Sequence, residues 1–468
     1  MNELLKRDKD NIPEILRHTL SSAEHHFERE KNIPPGRFIA DIRLNDLPET
    51  GIGAVATLDL FEKNFADKIA NSAGPRYFGF VTGGSTPASV AGDWLVSAYD
   101  QNACGSNDSI APQIEKQTIH FLKQLFGLDE SYFGSFVTGA TISNFVSLAI
   151  ARQWIGEQHN IDFSNEGLGS VPIKILSATS HSSIMKSMSM LGIGRKALIK
   201  INTLPDREAI DLVALENYLK QQKDPVIIVA NAGTVNTVDF DDLEALGQLK
   251  KKYNFWLHID AAFGGFAASS KKYAHLMKGV NHGDSVTIDA HKWLNVPYDA
   301  AMQFTKHKSL QLKVFQNSAA YLGDPEKSPD YFHYTPENSR RFRALPSWFT
   351  LVSYGKEGHA EIVERNCDCA NYFGEVIKQS EHFKLLAPVR MNVTCFTLKH
   401  ESLTFETVQA FLREVQDDGQ VFFTPTIYKD IPAIRAAVSN WQTTREDMDV
   451  AIEVLTRIAK NYIPVNAV

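Results

Sequence analysis

Between about residues 110 and 310, short apolar runs alternate with helical or loop stretches, and that alternation leaves the chain few architectures. The strand-like runs are Gly134–Val137, Lys174–Ala178, Val226–Ala230, Phe255–Asp260 and Ser285–Asp289. Strands joined through helices need right-handed crossovers, which gives a mainly parallel sheet with helices on both faces. Such sheets bind ligands beyond the carboxyl ends of their strands. Thr138, Thr234, Asp260 and Lys292 all fall at or just after such ends.

The flanking regions have a different texture. Residues 1 to about 60 read as mostly helical, with a break at Pro34-Pro35-Gly36. From about 350, helical runs at 355–378 and 404–416 flank strand-like runs at 389–398 and 420–428. Thr443-Thr444-Arg445-Glu446 reads as the capping box of a last helix. The expected division is a helical segment 1–70, a large α/β domain 71–350 and a smaller α+β domain 351–468. Of 468 residues, 43% are hydrophobic and 22% charged, which is ample for a large core. A net charge of -7 without a basic cluster argues against nucleic acid as a partner. No window suits a membrane span, and Met1-Asn2-Glu3-Leu4-Leu5-Lys6-Arg7-Asp8 lacks a signal peptide's apolar core. Cys104, Cys367, Cys369 and Cys395 lack metal-site spacing and read as free thiols. No metal is expected, and a reducing, cytoplasmic location is.

Lys292 is the first chemical candidate. In Thr287-Ile288-Asp289-Ala290-His291-Lys292-Trp293-Leu294-Asn295 it follows an apolar strand and sits beside Trp293. Lysine is rarely buried unless paired, so it is a surface residue, a member of an ion pair, or an amine held for chemistry. Desolvation lowers an amine's proton affinity and makes it a nucleophile able to form a Schiff base. Phe136-Val137-Thr138-Gly139-Ala140-Thr141 leads from a strand into a helix with Ile142, Phe145, Val146, Ala149 and Ile150 on one face. Small residues there open backbone N–H groups and the helix dipole to a phosphate; an ordinary capped turn is the alternative. The absence of Gly-Lys-Ser/Thr argues against a nucleotide P-loop. Gly83-Gly84 reads as a plain loop.

Asp260 ends another strand, in Leu257-His258-Ile259-Asp260-Ala261-Ala262. A carboxylate there needs a partner. A protonated pyridine nitrogen would serve, with the small Ala262 leaving room for a flat ring; a helix cap or salt bridge is the plainer reading. His181 could stack on such a ring and exchange a proton, or be structural. Thr234 could offer a ligand its hydroxyl. Together these residues point to a flat, phosphorylated, electron-withdrawing aldehyde, pyridoxal 5'-phosphate.

The chain resembles the group II pyridoxal-phosphate-dependent amino-acid decarboxylases, which include aromatic-amino-acid, histidine and glutamate decarboxylases. The resemblance rests on Pro75-Arg76-Tyr77-Phe78-Gly79-Phe80, Trp94-Leu95 with Asp100-Gln101-Asn102, Thr138-Gly139-Ala140-Thr141 and His181-Ser182-Ser183. It continues through Gly233-Thr234, His258-Ile259-Asp260-Ala261-Ala262, His291-Lys292-Trp293 and Arg340-Arg341-Phe342-Arg343, with Lys292 placed 32 positions after Asp260. It implies an aspartate-aminotransferase-like fold (fold type I), with a large, mainly parallel seven-stranded sheet domain and a smaller C-terminal α+β domain. It implies decarboxylation of an L-amino acid, with Lys292 holding the cofactor as a Schiff base and Asp260 on its pyridine nitrogen. His181 would stack on the ring, and Gly139, Ala140, Thr141 and His291 would surround the phosphate. Thr234, Ala262 and Asp289 complete the expected cofactor-contacting set. The resemblance also implies a homodimer with active sites at the subunit interface and N-terminal helices clasping the partner.

In related enzymes a mobile loop carries a tyrosine that protonates the substrate carbon. The corresponding segment here, 324–334, offers Tyr331 and Tyr334. Aminotransferase or carbon–carbon lyase chemistry on the same scaffold is the alternative, with Arg435 as a candidate carboxylate clamp. A catalytically silent homologue is the distant one. Tyr77, Phe78 and Phe80 suit an apolar side chain, but the substrate is left open.

Overall fold

The computed structural model describes residues 1–37, 42, 45–103, 105, 109–317 and 330–462. Three helices, α1 (Glu3–Asp10), α2 (Ile12–Arg29) and α3 (Ala54–Asn64), form an N-terminal arm, and none of the residues in these helices is buried. Then come α4 (Pro87–Tyr99), α5 (Ala111–Phe126) and the first strand of the main sheet. The strands are β1 (Phe133–Val137), β2 (Ile175–Ser177), β3 (Leu198–Lys200), β4 (Val226–Asn231), β5 (Phe255–Asp260), β6 (Ser285–Asp289) and β7 (Ala301–Thr305). The sheet order is β1-β7-β6-β5-β4-β2-β3. Strands β2 to β6 pair in parallel, while β7 runs antiparallel to both its neighbours.

All five expected strands are present, and the sheet has the seven strands that the resemblance implied. The sequence reading missed β3 and β7. Strand β3 is as short as β2 but, unlike it, has no buried residue, and its run ends in the exposed Lys200. Strand β7 (Ala301-Met302-Gln303-Phe304-Thr305) carries polar side chains although every residue is buried. Gln303 and Thr305 interrupt the apolar signal there. Strands β4, β5 and β6 are buried at every position, as strands covered on both faces must be. Eleven residues, 290–300, separate β6 from β7, which suits an antiparallel return better than a helical crossover. At the far edge of β7, Ala301 pairs with Val137 of β1 and with Asp289 of β6. The carboxyl ends of β1 and β6 thus lie level on either side of it.

Helix α6 (Ala140–Gln158) follows β1 and packs across β6 and β7. A 36-residue helix, Ala344–Gln379, kinks at Gly355 and links the two cores: Ile362, Val363 and Cys367 join the large one, Cys369, Phe373 and Ile377 the C-terminal one. The second sheet contains β8 (Phe383–Leu385), β9 (Val393–Leu398), β10 (Thr424–Tyr428) and β11 (Ile431–Ala437), antiparallel in the order β10-β11-β9-β8. The last helix, Arg445–Tyr462, is capped one residue later than expected. Asp447, not Glu446, accepts from the Thr444 N–H at 3.0 Å, and the Thr443 hydroxyl donates to the Pro75 carbonyl. No helix among the described residues is long and apolar enough to cross a membrane.

The Arg340-Arg341-Phe342-Arg343 stretch is structural. Arg340 and Glu115 form a buried pair, both side chains 1% exposed, joined by bonds of 2.8 and 3.0 Å. Arg340 also donates to the carbonyls of Ala103 and Phe136, and Glu115 accepts from the Phe136 N–H. Removing one partner of a buried pair leaves an uncompensated charge. Arg340→Met is therefore expected to cost about 3–5 kcal/mol in denaturant unfolding; a loss below ~1 kcal/mol would refute this anchoring role.

Candidate active site

The turn between β6 and β7 is built to hold Lys292. The chain leaves Asp289 through one helical turn, Ala290–Trp293. Trp293 fixes that turn from below, buried and donating its indole N–H to Asn366 Oδ1 at 2.8 Å. Asn295 ends it in a left-handed conformation (φ 57°), and its buried amide donates to the carbonyls of Gly83 and Ser439. From above, Gly83 presses on the same turn: a Cβ there would lie 1.6 Å from the Lys292 carbonyl oxygen. The Gly83-Gly84 loop is thus a clasp on the lysine turn, although the sequence read it as plain. Its signal is the absence of a side chain where backbones meet.

Lys292, Asp260, His181, Ala140, Ala262, Thr234 and His291 all line one cavity of about 460 Å3. Lys292 Nζ is 3.5 Å from Asp289 Oδ2 and 5.7 Å from the centre of the Phe263 ring. Asp289 lies buried beneath, 3.1 Å from His291 Nδ1 and 3.4 Å from the Ala140 N–H. His291 Nδ1 also lies 3.0 Å from the Ala300 carbonyl. That contact requires an N–H on Nδ1 and leaves Nε2 as the other ring position. Burial lowers the His291 pKa against the opposing pull of Asp289.

Asp260 accepts the Ala262 N–H at 3.2 Å on one oxygen and the Asn144 amide at 3.2 Å on the other. His181 caps the helix Ser182–Met190, its Nδ1 accepting the Ser183 N–H. Burial lowers its pKa, with Asp260 opposing, so the ring is neutral near pH 7. Helix α6 has no side-chain cap at its start. Gly139 and Thr141 flank Ala140 on that first turn; the Ala140 N–H faces Asp289, and the neighbouring N–H groups of the turn are the ones open to an anion. An amine, a carboxylate, a neutral imidazole and an open helix N-terminus in one cavity fit the groups of pyridoxal phosphate.

Other expected residues stand differently. Thr234 lines the cavity, but its hydroxyl is committed, donating to Glu208 Oε2 at 2.5 Å and accepting from the Asp239 N–H. Tyr331 and Tyr334 do not reach the Lys292 cavity of their own chain. They line a separate one with Phe133, Lys116, His120 and Lys308. The Tyr334 ring packs 4.6 Å from Phe133, and the Tyr331 ring lies 5.1 Å below the Arg340 guanidinium. Burial pushes both phenols up, Tyr334 to about 12. A short 3-10 turn, Tyr331–His333, buries this segment instead of extending it; residues 324–329 lie outside the described residues, as does Cys104. Tyr77 and Phe80 line the Lys292 cavity, whereas Phe78 packs on Phe423 in the C-terminal core. Sequence reasoning missed Tyr298, whose ring lies 4.3 Å from that of His291, because it stands in a turn without periodicity. It also missed Asn144, one polar residue inside a helix.

Residues 52–399 match the family described as "Pyridoxal-dependent decarboxylase conserved domain". The chain belongs to this family. It is a pyridoxal-phosphate-dependent amino-acid decarboxylase. It is 26% identical over 467 residues to an aromatic-L-amino-acid decarboxylase of Bacillus atrophaeus, covering 96% of this chain and 95% of that one. It is 26% identical over 470 residues to a histidine decarboxylase of Rattus norvegicus, covering 96% and 70%. Its fold is similar to that of Catharanthus roseus tryptophan decarboxylase in complex with L-tryptophan, with a TM-score of 0.86 at 19% identity over 97% and 99% of the two chains.

Placing a methyl group at Gly83 has to move the Lys292 backbone. A displacement of about 1 Å costs on the order of 100-fold in turnover, so Gly83→Ala is expected to lose about that much decarboxylase activity while remaining folded by circular dichroism. Wild-type kcat/KM in Gly83→Ala would show that the clasp does not set the lysine's position.

Proposed function

We propose that Lys292 Nζ holds the cofactor aldehyde of this decarboxylase, that Asp260 holds the pyridine nitrogen and that His181 lies against the ring. The first turn of α6, with Gly139, Ala140 and Thr141, and His291 receive the phosphate. The observation that supports this reading is that Lys292, Asp260, His181, Ala140 and His291 open into one cavity, with a buried cation, Arg435, on its wall. Pyridoxal phosphate, once bound, supplies an electron-withdrawing ring that accepts the electron pair left by departing CO2. His181, with Nδ1 accepting from Ser183, presents its Nε2–H to the cavity.

Arg435 defines the substrate side. It is 6% exposed and donates to the Val235 carbonyl at 2.9 Å, yet it forms no ion pair among the described residues. Burial lowers its pKa to about 10, which still leaves a cation at neutral pH. A buried cation without a counter-ion favours a carboxylate ligand. The substrate's carboxylate docks there, and its side chain faces the aromatic wall of Tyr77, Phe80 and Tyr298. Aromatic L-amino acids fit that wall best.

A CO2-release screen over the amino acids, with purified protein and pyridoxal phosphate, tests this. Release from aromatic amino acids is expected, and Arg435→Met is expected to raise KM about 10- to 100-fold. Lys292→Ala should lose both CO2 release and the borohydride-sensitive absorbance near the visible edge. A band that survives in Lys292→Ala would remove the lysine from its role. Release confined to aspartate or glutamate would mean that Arg435 reads the side chain and the aromatic wall does not.

We also propose a homodimer. Ile12, Leu16, Leu20 and Phe27 form an exposed apolar stripe along α2, and a helix with such a face buries it against a partner. A second copy is the occupant that the symmetry of most oligomers favours. Sedimentation equilibrium is expected to give twice the chain mass, and Leu16→Glu with Leu20→Glu should shift the protein toward half that value. A wild-type protein that stays monomeric would rule the dimer out.

A further inference from the structure

Behind Asp260 and His181 runs a buried polar chain whose direction is fixed at its Asp260 end. Trp256 Nε1, which can only donate, gives its hydrogen to Ser285 Oγ at 3.0 Å. Ser285 Oγ lies 2.9 Å from His258 Nδ1, and His258 Nε2 lies 3.0 Å from Asn144 Oδ1. The Asn144 amide nitrogen then reaches Asp260 Oδ2 at 3.2 Å and Ser183 Oγ at 3.0 Å. Ser183 Oγ continues to His181 Nδ1 at 2.8 Å. Trp256, Ser285, His258 and Asn144 are fully buried.

Burial pushes His258 down to about 4, so near pH 7 one ring nitrogen donates and the other accepts. At the Asp260 end a carboxylate accepts, so the Asn144 nitrogen faces Asp260 and the Asn144 oxygen faces His258. His258 Nε2 must then carry the hydrogen, and Nδ1 must accept from the Ser285 hydroxyl. The Trp256 end is compatible with this order, because Ser285 accepts the indole N–H and still has its own hydrogen to give. On the branch, Ser183 accepts from Asn144 and donates to His181 Nδ1, which the Ser183 backbone N–H also faces at 3.2 Å. The His181 hydrogen is left on Nε2.

We propose that Asn144 is a positioning residue: at the fork of a hydrogen-bond chain from Trp256, it holds Asp260 as an acceptor and, through the Ser183 hydroxyl, reinforces the backbone N–H that keeps His181 as the Nε2–H tautomer. This rests on Asp260 and His181 being the cofactor-contacting residues, but the tautomer can be read without cofactor, so the two ideas fail separately.

The test is 15N-histidine NMR of the whole chain with and without pyridoxal phosphate, with His181→Gln assigning the signal, alongside cofactor Kd from absorbance titration. Wild-type protein is expected to show the Nε2–H tautomer of His181. Asn144→Leu and His258→Leu are expected to admit the Nδ1–H form and to raise the Kd about tenfold. His258→Gln, whose amide can accept from Ser285 and donate to Asn144, is expected to keep the wild-type signal. An unchanged tautomer in folded Asn144→Leu or His258→Leu overturns the proposal, as does a His258→Gln that behaves like the leucine variants. A shifted tautomer with unchanged Kd supports the chain and instead removes Asp260 and His181 from the cofactor. Should the leucine variants not fold, Ser285→Ala deletes one hydroxyl from the chain and must shift the His181 signal in the same direction; no shift overturns the proposal.

Discussion

The rest of the molecule depends on the contact between two backbones, Gly83 above and Lys292 below. Three distant stretches of sequence meet there, and Asn295 ties them by donating to Gly83 on one side and Ser439 on the other. The clasp joins the segment before α4, the β6–β7 turn and the end of the second sheet. The lysine therefore projects from a backbone held on two sides, and a flexible side chain starts from a fixed root. Arg435, carried by β11, reaches the same cavity because the Phe78 strand-like segment bonds to both Phe422 and Ala437.

Charge around this point is arranged unevenly. Asp289 is buried among Lys292, His291 and the start of α6, so the amine has a nearby counter-charge. Arg435 has none among the described residues. The cavity thus holds one compensated cation and one uncompensated cation, and the second gives it an appetite for a negatively charged group.

The residues at the strand ends were legible because each broke a local rule: a lysine, an aspartate and small residues stood where an apolar strand finishes. Five strands were legible from their apolar runs, but β7 was not, because Gln303 and Thr305 are buried through partners that no local pattern shows. Gly83 was misread for a related reason, since a glycine needed for close approach looks the same as a glycine in an open loop until its neighbour is known. Tyr331 and Tyr334 were selected as the tyrosines that segment 324–334 offers, yet packing against Phe133 and beneath Arg340 decides where their rings lie. Asn144 was invisible because its importance lies in which atoms it faces, and its position on α6 gives no hint of them.

Strand β7 has a consequence of its own. Ala301 pairs with Val137 on one side and Asp289 on the other, so the start of α6 and the lysine turn are separated by two strand spacings, about 10 Å. One strand therefore acts as the gauge between the two ends of the cavity. A shift of its register by one residue would turn its side chains to the opposite face and unseat both neighbours together. The spacing between the open helix end and the amine is thus set by the sheet's hydrogen-bond ladder, while the loops around it are free to vary in what they recognise.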